Sequence, residues 1–184
     1  MTLQQCLKSR RSSRNFSPDA VSLDQCSALL WAAQGVTGPG GLRTAPSAGA
    51  TYPLRLYLAA ANVEGLTSGA YSYDPDLHQL RLSSRGDKRR KLYAATMGQE
   101  CVRECALCLL IATDCRRITR EFGERGETLA CLEAGHAGEN FLLQARALGL
   151  GAIGLGNFDA TVLRAALPVP ESERPLYLLL AGSA

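Results

Sequence analysis

Three guanidiniums and two hydroxyls fall within five residues, Arg10-Arg11-Ser12-Ser13-Arg14. Guanidiniums grip phosphate or carboxylate oxygens through paired, charge-assisted hydrogen bonds, each worth roughly 1.5–3 kcal/mol. The string is therefore a candidate anion clamp, although by composition alone it also reads as a solvated basic turn. Other ingredients for catalysis are sparse. His78 and His136 are the two histidines, too few for a His-rich metal centre, and no metal site is expected. Cys105-Ala106-Leu107-Cys108 has CxxC spacing but enters an apolar run with no second CxxC, which suits buried thiols better than zinc or redox chemistry. P-loop and Gly-x-Ser-x-Gly patterns are absent. Gly149, Gly151 and Gly154 satisfy GxGxxG but follow a predicted helix, so the strand-to-helix turn that cradles a dinucleotide is missing. No catalytic side chain is assigned.

The elements that position these residues are legible in outline. A short helix over 3–9 would deliver the arginine string. Ser22 and Gln25 have capping-box spacing, and Leu23, Cys26, Leu29, Leu30 and Ala33 recur at helical period before Gly35. Residues 35–49 hold five glycines and two prolines and read as an irregular loop, too long for a passive connector. Residues 54–61 read as a strand, and 69–73 with 79–82 as a hairpin around Asp74-Pro75-Asp76. Residues 86–97 look helical, as does a short piece running into Cys105. The apolar run 106–112 suits a central strand buried on both faces. Leu129, Leu132, Gly135, Phe141, Leu142, Ala145 and Leu148 support one long helix over 127–148, ended by Gly149. Residues 151–156 are a short strand or loop, Asp159 caps a helix reaching Leu167, and 175–181 form a last buried strand. Strands and helices do not alternate regularly, so the fold class is α+β with a mixed, mostly antiparallel sheet.

At 184 residues the chain has the length of one domain, 1–184. Its 46% hydrophobic and 20% charged residues exclude global disorder, and its longest apolar runs fall well short of the ~20 residues of a membrane span. A net charge of +3 is too small for a general nucleic-acid trap, and Lys88-Arg89-Arg90-Lys91 lacks interleaved aromatics and reads as a solvated helix face. Seven cysteines, mostly in apolar periodic segments, suit reduced thiols. With no apolar segment before Arg10 resembling a signal sequence, a cytoplasmic location is expected.

Four segments together resemble the FMN-dependent nitroreductase superfamily, and its SagB-type dehydrogenase branch most closely. They are Arg10 to Phe16, Arg43 to Pro53, Gly69 to Asp74, and Glu133-Ala134-Gly135-His136 continuing through Asn140 to Gly151. The resemblance implies a three-layer α/β/α sandwich, an intertwined homodimer, and FMN held between the two copies. Carried over by position, Arg10, Arg11 and Ser12 would hold the phosphate. Arg14 would lie near the pyrimidine edge, where a cation favours the reduced anion. Pro46, Ser47, Ala48, Gly49 and Ala50 would come from the partner chain and lie beside the ring, small enough for close approach. Gly154, Leu155 and Gly156 would line the ring, with the Gly156 N–H directed at flavin N5, and Gln99 would reach the flavin. The chain ends at Gly182-Ser183-Ala184, short of a basic residue many relatives add to the phosphate site, so the N-terminal arginines would carry that anion alone. Gly135 and Gly138 would allow close helix packing, and His136 reads as a structural histidine.

The activity so implied is ping-pong two-electron transfer through flavin N5, from NAD(P)H or an organic donor to an acceptor such as a nitroaromatic or quinone. Two other readings stand beside it. One is SagB-type dehydrogenation of an azoline in a peptide; the other is a flavin-binding or sensing module with little turnover. Substrate contacts would fall in variable loops at 37–42 and 115–126.

Overall fold

The apolar run after Cys105 becomes the centre of the molecule. In the computed structural model, which describes all residues 1–184, it forms β6 (Leu107–Asp114), buried from Leu107 to Thr113 and flanked on both edges. The remaining strands are β1 (Val36–Gly38), β2 (Leu42–Arg43), β3 (Leu54–Ala60), β4 (Gly69–Asp74), β5 (Gln79–Arg85), β7 (Gly151–Leu155) and β8 (Glu173–Gly182). Six of them form one sheet in the order β5-β4-β3-β6-β8-β7, every neighbouring pair antiparallel. Parallel pairing is confined to two isolated contacts, Ser12 with Ala152 and Val21 with Val63. Alternation along β6 splits the core: Leu107, Leu109 and Ile111 face one side, while Cys108, Leu110 and Ala112 face the other.

Helices α1 (Leu3–Ser9), α2 (Leu23–Gln34), α5 (Cys115–Phe122) and α6 (Arg125–Ala147) precede or follow strands on one side, and α3 (Arg89–Ala95), α4 (Cys101–Glu104) and α7 (Ala160–Arg164) lie on the other. Leu29, Leu30, Ala33, Phe141 and Ala145 of α2 and α6 pack over one sheet face, and Leu92, Val102 and Leu163 of the short helices over the other, giving the expected three layers. The start of α2 follows its sequence signal: Gln25 N donates to Ser22 Oγ at 3.1 Å and Ser22 N to Gln25 Oε1 at 2.9 Å. The β4–β5 hairpin is pinned by Asp74, whose Oδ1 accepts from the N–H groups of Asp76 and Leu77.

Three expectations change. Residues 115–126 are not a loop throughout: Cys115–Phe122 are helical, because Asp114 caps Arg116 N and Ile118 is buried beneath an otherwise charged surface. The 35–49 excursion contains the β1–β2 ribbon and two short 3-10 turns. On α6, Leu132 and His136 point outward while Glu133 is buried, so His136 is no structural histidine of this chain's core. Gly138 faces inward, where a Cβ would lie 2.8 Å from the Tyr177 ring; Gly135 faces out with nothing within 4 Å.

Candidate functional site

The segment after α1 is laid along the outer edge of β7. Ser13 N donates to Ala152 O at 2.9 Å, and the pairing starts at Ser12. Glycine at 151 permits this approach, since a Cβ there would sit 3.0 Å from Ser13 Cβ. Arg10 ends α1, with its Nε 3.4 Å from Glu139 Oε1 of α6, and Arg11 is exposed, donating to the Lys8 and Arg10 carbonyls at 3.1 and 2.7 Å. These two arginines line a cavity of about 260 Å³ with Ser9, Ser13 and Arg146. Arg146, in the last turn of α6, donates from Nε to Ser9 Oγ at 2.8 Å. It was missed from the sequence; a basic residue in the final turn ahead of Gly149 was its one local signal. It supplies a third guanidinium to the cavity.

Because Ala152 gives its carbonyl to Ser13 across the outer edge, the alternation of an antiparallel strand turns the main-chain N–H and C=O of Gly154 to that same edge. Gly156 follows two residues on, exposed, with no atom within 4 Å of where its Cβ would be. A rise of ~3.3 Å per residue sets Gly156 about 13 Å from Ala152. Gly154 is fixed for a different reason: a Cβ there would strike the Tyr177 hydroxyl and ring. Leu155 is buried toward the other face, with Leu178 and Leu180. Arg14 is exposed, and its charge acts on Cys101 of α4, countering the burial that raises that thiol. Gln99 is exposed between α3 and α4, its carbonyl accepting from Val102 N at 3.0 Å. That helix end is tied to the chain leaving β7 through Asp159 N donating to Ala95 O at 2.7 Å.

The second set of predicted residues gathers elsewhere. Ala45 is fully buried and anchors the 46–50 loop, in which Pro46, Gly49 and Ala50 are exposed and Ser47 and Ala48 half-buried. Gly49 and Ala50 both take φ near +50°, as does Tyr52, so this short stretch stores backbone strain that something must hold. Ser47 does so, accepting from Tyr52 N at 2.9 Å and donating to Glu133 Oε2 at 2.5 Å. Glu133 is 2% exposed, and burial pushes its carboxyl up to about 7 against the opposing pull of the Ser47 hydroxyl, Arg43 and Gln34. Sequence reasoning assigned Glu133 no role. Along α6, Glu133 and Arg146 are 13 residues apart, about 20 Å at 1.5 Å per residue. One chain thus presents the loop at the middle of α6 and Arg146 in its last turn, with Arg10 beside Glu139 between them.

Chemically, the β7 edge offers a cluster of cations at one end and free main-chain donors at the other. This suits a long ligand with an anionic tail and a planar, hydrogen-bonding head, with the reaction carried by the ligand and not by a side chain. The residues present therefore fit a flavin mononucleotide.

Comparison with known proteins agrees with the architecture. The model of the nitroreductase family matches residues 7–183. A protein of Methanocaldococcus jannaschii that carries the name nitroreductase is 36% identical over 180 residues, covering 98% of this chain and 90% of its own length. A crystal structure named as a nitroreductase from Anabaena variabilis superimposes with a TM-score of 0.88 at 26% identity, over 98% of this chain and 38% of the length of that one. Another so named, from Desulfovibrio desulfuricans and in complex with FMN, has a TM-score of 0.71 at 26% identity, covering 99% of this chain and 86% of that one.

Proposed function

The chain belongs to the nitroreductase family, and from that premise we propose that it is an FMN-dependent oxidoreductase whose full length, 1–184, acts as one flavin-binding unit in a homodimer. The observation that carries the reading is the open β7 edge, with the Gly154 and Gly156 donors about 7 and 13 Å along the strand from Ala152 at the Arg10–Arg11–Arg146 cavity. Bound FMN supplies two-electron hydride chemistry at N5. The chain's own residues bind and orient. Arg10, Arg11 and Arg146, with the Ser12 hydroxyl, hold the phosphate by charge-assisted hydrogen bonds. The Gly156 N–H donates at the reacting edge, and Arg14 and Gln99 complete the rim from the short-helix side, Arg14 favouring the reduced anion. Pro46 to Ala50 of a second copy close the other face and exclude water from it.

The need for two copies is supported by the distance along α6 between Glu133, which anchors the loop, and Arg146, 13 residues or about 20 Å away. It is supported also by the apolar surface left uncovered beside them. Leu3, Trp31 and Leu132 are exposed large side chains on α1, α2 and α6, and an apolar groove of about 300 Å³ runs between these helices past Trp31, Leu143 and Ala147. The electron donor is NAD(P)H or an organic hydride donor, and the acceptor a nitroaromatic or quinone. The motif segments that resemble the SagB-type branch extend the donor class to an azoline in a peptide. No helix is long and apolar enough to cross a membrane, and we propose action in the cytoplasm.

The test is an FMN titration followed by flavin fluorescence. Wild-type protein should bind one FMN per chain, and the Arg10→Ala, Arg11→Ala double variant should bind about 100-fold more weakly, two charge-assisted contacts being lost. Equal affinity in both proteins would remove the phosphate assignment.

A further inference from the structure

Three strands away from β7, about 14 Å across the sheet, a second polar cavity opens where β3 begins and β4 ends. Its volume is about 350 Å³, within the ~300–1,000 Å³ of small-molecule sites, and its wall includes Gln34, Arg43, Arg55, Asp74, Asp76 and Arg81. The Arg43 side chain is only 8% exposed. Its Nη1 donates to Gln34 Oε1 at 3.0 Å, its Nη2 lies 3.7 Å from Asp76 Oδ1, and its guanidinium stacks 5.0 Å above the Tyr52 ring. Yet Arg43 Nε is buried without a partner. Buried donors without acceptors are costly, and a native structure ordinarily supplies one.

Charge points the same way. Arg81 is paired with Asp74 at 3.4 Å and Arg43 with Asp76, whereas Arg55 forms no ion pair, leaving the wall with three guanidiniums against two carboxylates. Burial lowers the proton affinity of Arg43, and the charges of Arg55 and Arg117 add to that effect against Asp76 and Glu133. A partly desolvated guanidinium beside an unpaired one is stabilised by an oxyanion placed between them. We propose that this cavity binds the carboxylate or phosphate group of a small molecule, held by Arg43 and Arg55. The inference does not rest on the flavin reading. It has a consequence for it, because Arg43 leads directly into the 44–50 segment, so an occupied cavity would stiffen the base of the strained loop.

Isothermal titration tests this with two probes, sodium succinate and sodium phosphate, at ionic strength held constant with sodium chloride. FMN-loaded protein is used, so that phosphate cannot enter the β7 cavity, and flavin absorbance is followed in parallel. If the protein takes up no FMN, the succinate arm is run on the protein as purified. Saturable binding of either anion, without flavin release, is expected; which of the two binds identifies the group. The Arg55→Ala variant should bind about tenfold or more weakly, from loss of one charge-assisted contact, and Arg43→Lys likewise, while Arg90→Ala on α3 should bind as wild type. Absence of saturable heat with both anions overturns the proposal, and so does wild-type affinity in Arg55→Ala, a variant of a half-exposed side chain that keeps the fold testable even if Arg43→Lys does not fold.

Discussion

Replacing Glu133 by Gln should make the protein more stable at alkaline pH and leave it nearly unchanged at acid pH. The carboxyl is 2% exposed and titrates at about 7, against an ordinary 4.5. A carboxyl whose folded value is raised contributes stability that is complete below 4.5 and is lost as pH rises through 7, because only the folded state still holds the proton in that window. The difference corresponds to roughly 3 kcal/mol. Glutamine mimics the neutral acid and still offers an oxygen to the Ser47 hydroxyl, so it retains the bond that pins the strained loop. Urea unfolding of both proteins at pH 5, 6, 7 and 8, at one protein concentration and one state of flavin loading, isolates this group, since all other titrations cancel in the difference. The variant's advantage should grow from under ~1 kcal/mol at pH 5 to about 3 kcal/mol at pH 8, or roughly 6–12 °C in a parallel thermal melt. An advantage that is the same at pH 5 and pH 8 would refute the assignment of a neutral, buried Glu133.

Other substitutions probe separate parts of the account. Gly154→Ala should destabilise the protein by about 1–3 kcal/mol in chemical unfolding, because the new methyl displaces Tyr177, whereas Gly156→Ala, with open space around it, should leave stability within ~0.5 kcal/mol. Arg14→Ala should lower the flavin midpoint potential by about 30 mV in a redox titration, the equivalent of ~1.4 kcal/mol, with a smaller change in FMN affinity. Ser22→Ala removes the α2 cap and should cost about 1 kcal/mol, read by urea denaturation.

What the sequence made legible was whatever one local period or one short-range bond decides. Ser22 with Gln25, the apolar run of β6, the Asp74 turn and the Asp159 cap all act within a few residues, and each stands where expected. Helix α5 escaped because four of its eight residues are charged and Ile118 alone is buried, which leaves too few apolar residues to mark a core-facing stripe. The site was half legible. The Arg10–Arg14 string is contiguous, and the 46–50 loop advertises itself by its small residues. The groups that hold them are remote in the chain: Ser47 meets Glu133 across 86 residues and Ser9 meets Arg146 across 137. No spacing rule reaches that far. Glu133, a carboxylate buried within the helical stripe, is the polar anchor of the loop.

The central claim is a flavin held by arginines at the β7 edge of one chain and closed over by the loop of a second. Native mass spectrometry of the freshly purified protein tests it in a single measurement. The account predicts a species of two chains carrying two molecules of FMN mass. A single chain without bound flavin, unchanged after incubation with excess FMN, would contradict it.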